Sequence, residues 1–215
     1  MKIWDISRTL SNELAEWPGD EPFRYRLTIQ IATGASVNLG AISMSVHNGT
    51  HADARFHFDP KGETIDNAPL EAYFGRATVV DLAQTFDQRT EKHLITLEDT
   101  RPHAEEIAAT SRVLLKTGRW SDSTRFPPRI PVIAAEVPAW LQKNGVKLLG
   151  LDLPSVDEID SKSLQNHQAL ARAGIVIVES LDLSNVPAGI YNFAALPLKI
   201  AGGDGAPTRA ILWRD

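Results

Sequence analysis

Cysteine is absent from all 215 residues, which removes disulfide frameworks, zinc ribbons, iron–sulfur clusters and thiolate nucleophiles together. Any metal held by this chain therefore rests on nitrogen and oxygen donors. Long apolar runs are missing as well. None approaches the roughly 18 residues of a membrane span, and the start Met1-Lys2-Ile3-Trp4-Asp5 lacks the apolar segment of a secretory leader. The expectation is a cytoplasmic protein with no membrane partner. Basic clusters are lacking too: 22 Lys and Arg lie scattered against 27 Asp and Glu, a net charge of −5. This excludes a nucleic-acid groove, which needs concentrated positive charge to displace counterions from phosphates. No serine stands in a Gly-x-Ser-x-Gly setting, so a serine hydrolase has no support.

What remains is ordinary globular material, 43% hydrophobic and 23% charged, without internal repeats or a linker-like segment. Residues 1–215 are expected to form one domain. Short apolar or alternating runs at 2–6, 24–31, 39–46, 78–82, 113–116, 148–151, 175–178, 196–200 and 209–213 read as strands. Helical spacing occurs at 100–110, 134–144 and 161–173, the last two closed by Gly145 and Gly174. The segments 84–99 and 126–131 read as surface excursions. The fold class is mixed α/β with strands in the majority.

Three of the six histidines fall in one eleven-residue window, His47-Asn48-Gly49-Thr50-His51-Ala52-Asp53-Ala54-Arg55-Phe56-His57, where chance places about 0.3. In the preceding strand Ile42, Met44 and Val46 alternate with Ser43, Ser45 and His47, so the apolar face is expected to pack inward. Asn48-Gly49 then predicts a turn with positive φ. A helical His-x-x-x-His pair is disfavoured by Gly49, but a loop brings two imidazoles together equally well. Asp53, two residues beyond His51, points to the same side in an extended segment. His47, His51 and Asp53 thus form a donor set suited to Zn, Mn, Co or Fe. His57, flanked by Phe56 and Phe58, has three open roles: a fourth ligand, a prop for the ligands, or a proton carrier kept neutral by apolar surroundings.

A second pair lies downstream. His167 shares a helix face with Leu164 and Ala171, and Glu179 follows the fully apolar run Ile175-Val176-Ile177-Val178. A carboxylate entering a buried strand demands a partner or a cation. His167 and Glu179 are candidates for a second metal, with Asp53 able to bridge two ions. Weaker signals are the Trp17-Pro18-Gly19-Asp20 turn, whose ring suits a planar substrate, and Gly202-Gly203-Asp204-Gly205, which reads as a flexible loop. His93 and His103 sit in polar surroundings and read as exposed.

The run His47-x-Gly49-Thr50-His51-x-Asp53-x-x-x-His57 resembles the signature of the cyclase-like metal-dependent hydrolases. Trp4-Asp5-Ile6-Ser7, the Trp17 turn, Gly150-Leu151-Asp152-x-Pro154-Ser155-Val156-Asp157 and 173–183 fit as well, so the resemblance covers essentially the whole chain. It implies an α/β fold around a β-barrel-like arrangement of strands, a homodimer, and hydrolysis of N-formyl-L-kynurenine to L-kynurenine and formate, a step of tryptophan degradation. It further implies two divalent ions, zinc foremost, with manganese or cobalt as alternatives. Under it, His47, His51 and Asp53 bind one ion, Asp53, His167 and Glu179 bind the other, His57 transfers the proton and Trp17 contacts the substrate. Two rival readings are a relative that opens a cyclic amide such as isatin, and a metal-binding module without catalysis.

Overall fold

The computed structural model describes residues 1–88 and 94–215, so His93 lies outside the described residues. In chain order the first strands are β1 (Lys2–Asp5), β2 (Arg24–Ile29), β3 (Leu39–Ser43), β4 (His51–Asp53), β5 (Phe74–Asp81), β6 (Leu94–Ile95) and β7 (Arg112–Lys116). They continue with β8 (Val132–Ile133), β9 (Leu148–Leu151), β10 (Val176–Glu179), β11 (Gly189–Ala194), β12 (Gly205–Pro207) and β13 (Ile211–Arg214). The α-helices are α1 (Ala83–Gln88), α2 (Leu97–Thr100), α3 (Ala104–Thr110), α4 (Val137–Lys143) and α5 (Gln165–Arg172).

Nine strands form one sheet in the order β1-β13-β11-β5-β7-β9-β10-β4-β12. Its centre, β5-β7-β9-β10, is parallel, and the flanking pairs are antiparallel. The sheet curls into a half-barrel rather than closing, with β1 and β12 as its edges. This is the mixed α/β, strand-rich fold expected from the alternation of runs.

The central strands are apolar because both of their faces are covered. Along β7, Val113 and Leu115 join a core shared with Val137 and Leu141 of α4 and Leu170 of α5, while Leu114 between them joins the core inside the half-barrel. On β9, Leu149 and Leu151 face the helices and Leu148 faces inward; on β10, Ile177 and Val178 divide the same way. Each such buried side chain contributes roughly 1.5–3 kcal/mol. Together they make the β9–β10 edge a rigid support for whatever follows Val178.

Several sequence readings change. The run 39–46 ends as a strand at Ser43 and pairs only with β2, forming a two-stranded ribbon outside the main sheet. Ile42 is 61% exposed rather than packed inward, because no layer covers that ribbon. The run 196–200 forms no strand, only a bridge between Pro197 and Thr208; proline donates no N–H to a ladder, and Leu196 and Leu198 stay exposed. The predicted helix over 100–110 is interrupted by a turn of 3₁₀ helix around Pro102. The helix expected from 161 begins at Gln165. Of the surface excursions, 84–99 contributes the fully buried Ile95, and 126–131 buries Ile130. Among the described residues, no helix is long and apolar enough to cross a membrane.

Candidate active site

The site grows from the turn before β4. Gly49 adopts φ +65°, as the Asn-Gly pair predicts. The turn is clamped by Thr50, whose Oγ1 accepts from the Arg8 amide at 2.8 Å and donates to the Ser180 carbonyl at 2.7 Å. Strand β4 is wedged between β10 and β12, with His51 opposite Glu179 and Asp53 opposite Gly205. Ala52 therefore enters the inner core, fully buried, while His51 and Asp53 project from the other face. At position 205 a Cβ would meet His47 Cε1 at 2.7 Å; glycine there lets β12 approach the imidazole.

The sequence candidates from four separate segments converge. His47, His51 and Asp53 bring ligand atoms within 4.8 Å of one another, and Asp53, His167 and Glu179 do the same. Asp53 belongs to both groups. Its Oδ1 lies 3.1 Å from His47 Nδ1 and 3.4 Å from His51 Nε2, and its Oδ2 lies 3.4 Å from His167 Nε2. Glu179 closes the ring, 3.5 Å from His51 Nε2 and 3.6 Å from His167 Nε2. Asp53 Oδ2 is buried with no hydrogen-bond partner. A buried carboxylate oxygen left bare costs several kcal/mol unless a cation faces it, so this donor set fits a bound metal cation.

The imidazoles are held from behind. His51 Nδ1 donates to the Gly49 carbonyl at 2.9 Å, turning Nε2 toward the carboxylates. His167 Nδ1 meets Asp157 Oδ2 at 2.7 Å. Asp157 also accepts the backbone N–H groups of Asn166 and His167, satisfying first-turn donors of α5. Glu179 Oε1 accepts the Val156 amide at 2.9 Å. Two of the three non-glycine residues with positive φ among the described residues adjoin this group: Leu164 before α5 and Ser180 after Glu179. Such backbone costs about 1 kcal/mol per residue. At Ser180 it is offset by the amide's bond to the Leu153 carbonyl and by the Thr50 clamp.

The same carboxylates that suit a cation hold protons in its absence. Burial works against charging His51 and His167, yet carboxylate contacts outweigh it and raise both to about 10, through Asp53 and Glu179 for His51 and through Asp157 and Asp53 for His167. His47, opposed by burial and favoured by Asp204 and Asp53, rises to about 8. Burial pushes Asp53 upward, but His167, His47 and His51 hold it well below the usual carboxylate range. A base whose affinity for a proton is raised by folding stabilises the fold below its unfolded value, near 6.5, and loses that contribution as pH climbs through its folded value. Chelator-treated protein should therefore lose thermal stability between about pH 6.5 and 10, in the range set by these imidazoles. Calorimetric Tm against pH checks this; a Tm that stays level or rises over that interval contradicts it.

His57 stands beside the cluster. Its ring lies 4.0 Å from that of His47 and 6.2 Å from that of His167. Its surroundings differ from the apolar pocket expected: Phe56 is exposed, and His57 Nδ1 meets Asp204 Oδ2 at 3.3 Å. The same Asp204 oxygen is 3.0 Å from His47 Nε2. Histidines 47 and 57 with Asp204 form a third potential donor group, more open than the others.

Sequence reasoning missed two residues. Asp204 sits in a glycine-rich loop that reads as flexible, and only the pairing of β12 with β4 brings it to His47. Asp157 lies ten residues before His167 with no periodic signal joining them.

A cavity of about 400 Å³ opens on the cluster, lined by His47, His51, His57, His167 and Glu179 together with Trp17, Trp120 and Phe126. The Trp17 turn closes with the Asp20 amide donating to the Trp17 carbonyl at 2.9 Å. Trp17 packs edge-on against Phe126 at 5.2 Å, and Phe126 lies 6.0 Å from Trp120. The aromatic wall thus recruits a residue from 126–131, not a surface excursion. Phe58 lines a neighbouring cavity of about 260 Å³ that also touches Asp53.

A curled α/β sheet carrying shared histidine and carboxylate donors at one face defines a hydrolase with a metal cofactor, and the chain belongs to the cyclase family, whose model, described as “Putative cyclase”, matches residues 4–158. Among its relatives, it is 42% identical to the kynurenine formamidase of Geobacillus thermodenitrificans, over 99% of this chain and 98% of that protein. It is also similar to the solved structure of a predicted metal-dependent hydrolase from Bacillus stearothermophilus, with 26% identity, a TM-score of 0.76 and coverage of 98% and 97% of the two chains. Isatin hydrolase A from Labrenzia aggregata shares the fold, with a TM-score of 0.82 at 24% identity over 98% and 93% of the chains.

Proposed function

We propose that the protein hydrolyses N-formyl-L-kynurenine to L-kynurenine and formate, as the name of its full-length formamidase relatives suggests. The observation that carries this reading is the pair of donor groups sharing Asp53 at one end of an aromatic-walled cavity. His47, His51 and Asp53 would hold one divalent ion and Asp53, His167 and Glu179 a second, with zinc, manganese or cobalt all suited to nitrogen and carboxylate donors. When bound, such ions polarise a carbonyl and bring the pKa of water toward neutrality.

The chain's own residues do the rest. Trp17, with Phe126 and Trp120, offers a slot for the substrate ring and leaves the small formyl group facing the carboxylates. Water adds to the formyl carbon, the carbon–nitrogen bond breaks, and a proton must reach the departing anilinic nitrogen. His57 supplies it, held in orientation by Asp204. The reaction consumes one water and yields formate and the free amine. Turnover of N-formyl-L-kynurenine against isatin by metal-loaded protein tests the assignment: preference for the formamide is expected, and isatin opening without formamide hydrolysis would replace it with the cyclic-amide reading.

Asp157→Asn removes the negative charge behind His167 Nδ1 and leaves one acceptor oxygen for bonds that two oxygens now share, and should weaken metal binding about 10- to 100-fold, read by titration against a competing chelator. Unchanged affinity would deny Asp157 that role. A homodimer is part of the same proposal. The β2–β3 ribbon exposes Tyr25, Leu27, Ile29, Leu39 and Ile42 at 37–61%, an apolar face that a second copy would cover. Light scattering should give twice the chain mass, falling toward the monomer on Ile42→Asp.

A further inference from the structure

We infer that Lys162 selects the substrate's α-carboxylate, an assignment that rests on the formamidase reading and names the determinant of its substrate class. The charges on the cavity wall are uneven. Glu16, Asp20, Glu179 and Asp204 line it, and among the described residues Lys162 is its only Lys or Arg. Asp20 Oδ2 accepts a bond from Ser45 and Asp204 is taken by two histidines, whereas among the described residues no carboxylate pairs with Lys162.

The proposed substrate carries a neutral formamide at one end and an amino-acid head, with an α-carboxylate and an ammonium, at the other. Its formyl group must lie at the His and carboxylate cluster, since that is where the bond breaks. The amino-acid head, ortho on the ring, then extends along the same cavity, where the charged side chains away from the histidine cluster are the carboxylates Glu16 and Asp20 and the ammonium of Lys162. Like-charge placement is penalised and the unpaired ammonium is the complementary partner. The loop carrying Lys162 is also anchored to the reacting centre. The Ser161 amide donates to the Glu158 carbonyl at 2.9 Å, the Leu164 amide donates to Ser161 Oγ at 3.2 Å, and α5 begins immediately afterwards with His167 five positions on. Position 162 is thereby fixed relative to His167, while its long side chain stays exposed and free to reach a ligand.

A charge-assisted contact at an open site changes affinity by about tenfold. In metal-loaded protein, K162M should weaken calorimetric binding of L-kynurenine by about that factor and leave 2-aminoacetophenone, which lacks the amino-acid head, unchanged. In turnover, K162M should raise KM for N-formyl-L-kynurenine, keep kcat within about twofold, and spare 2-formamidoacetophenone. K162R should restore most of the binding, since it keeps the charge. Equal affinity of wild type and K162M for L-kynurenine, or equal loss on both ligands, overturns the assignment while leaving the reaction standing. Failure of the metal-loaded wild type to hydrolyse N-formyl-L-kynurenine overturns the reaction itself and the assignment with it.

Discussion

Replacing Asp53 by Asn should empty both proposed metal positions together and lower turnover by at least about 10³, the scale of several kcal/mol of lost charge stabilisation. The reason lies in geometry. One carboxylate directs Oδ1 toward His47 and His51 and Oδ2 toward His167, so neutralising it weakens two donor groups at once. An amide keeps the shape but removes the negative charge and puts a donor where an acceptor is needed. It also leaves buried imidazoles without their partner, and breaking such a pair costs about 3–5 kcal/mol. Metal content after dialysis should therefore be measured beside circular dichroism. One ion per chain retained at full occupancy in a folded variant would show that the two groups do not depend on a shared carboxylate.

His57→Ala should retain metal and lose about 10²–10⁴ in turnover, the range of a positioned proton donor. Here the competing reading has its own structural basis, because His57, His47 and Asp204 form a donor group that could hold a cation. The two part company in one measurement. If His57 is a ligand, the variant loses metal and activity in parallel; if it carries the proton, metal stays and only turnover falls. Burial favours the latter. The side chains of His57 and Asp204 are 33% and 43% exposed, against 4% or less for His51, Asp53, His167 and Glu179. Water competes for a metal ion at the first pair and is excluded at the others, while a proton carrier needs contact with both solvent and substrate. Because His57 contributes so little packing, its removal should leave the fold intact.

Both experiments address residues that stand close together in sequence, which is why they were legible there. His47, the Asn48-Gly49 turn, His51 and Asp53 fall within seven positions, and the two-residue period of an extended chain alone puts His51 and Asp53 on one face. The central strands were equally readable, since short continuous apolar runs such as 113–115, 148–151 and 175–178 follow directly from both faces being covered. The β2–β3 ribbon has the same alternation as a buried strand, yet nothing packs on it. Whether an apolar face finds a covering layer depends on the neighbours that the topology supplies, and local pattern carries no record of them.

The absence of cysteine limited any metal site to nitrogen and oxygen donors, and the clustering of histidines nominated His47, His51 and His57 as candidates, because donor chemistry is a property of side chains. Tertiary structure decided everything that depends on register. Pairing of β10 with β4 set Glu179 beside His51, pairing of β12 with β4 brought Asp204 from an unremarkable glycine-rich loop to His47, and the capping of α5 put Asp157 behind His167. These contacts join residues up to 157 positions apart. Their energy comes from burial and hydrogen bonding between distant segments, which exists only once the strands have paired and the sheet has curled.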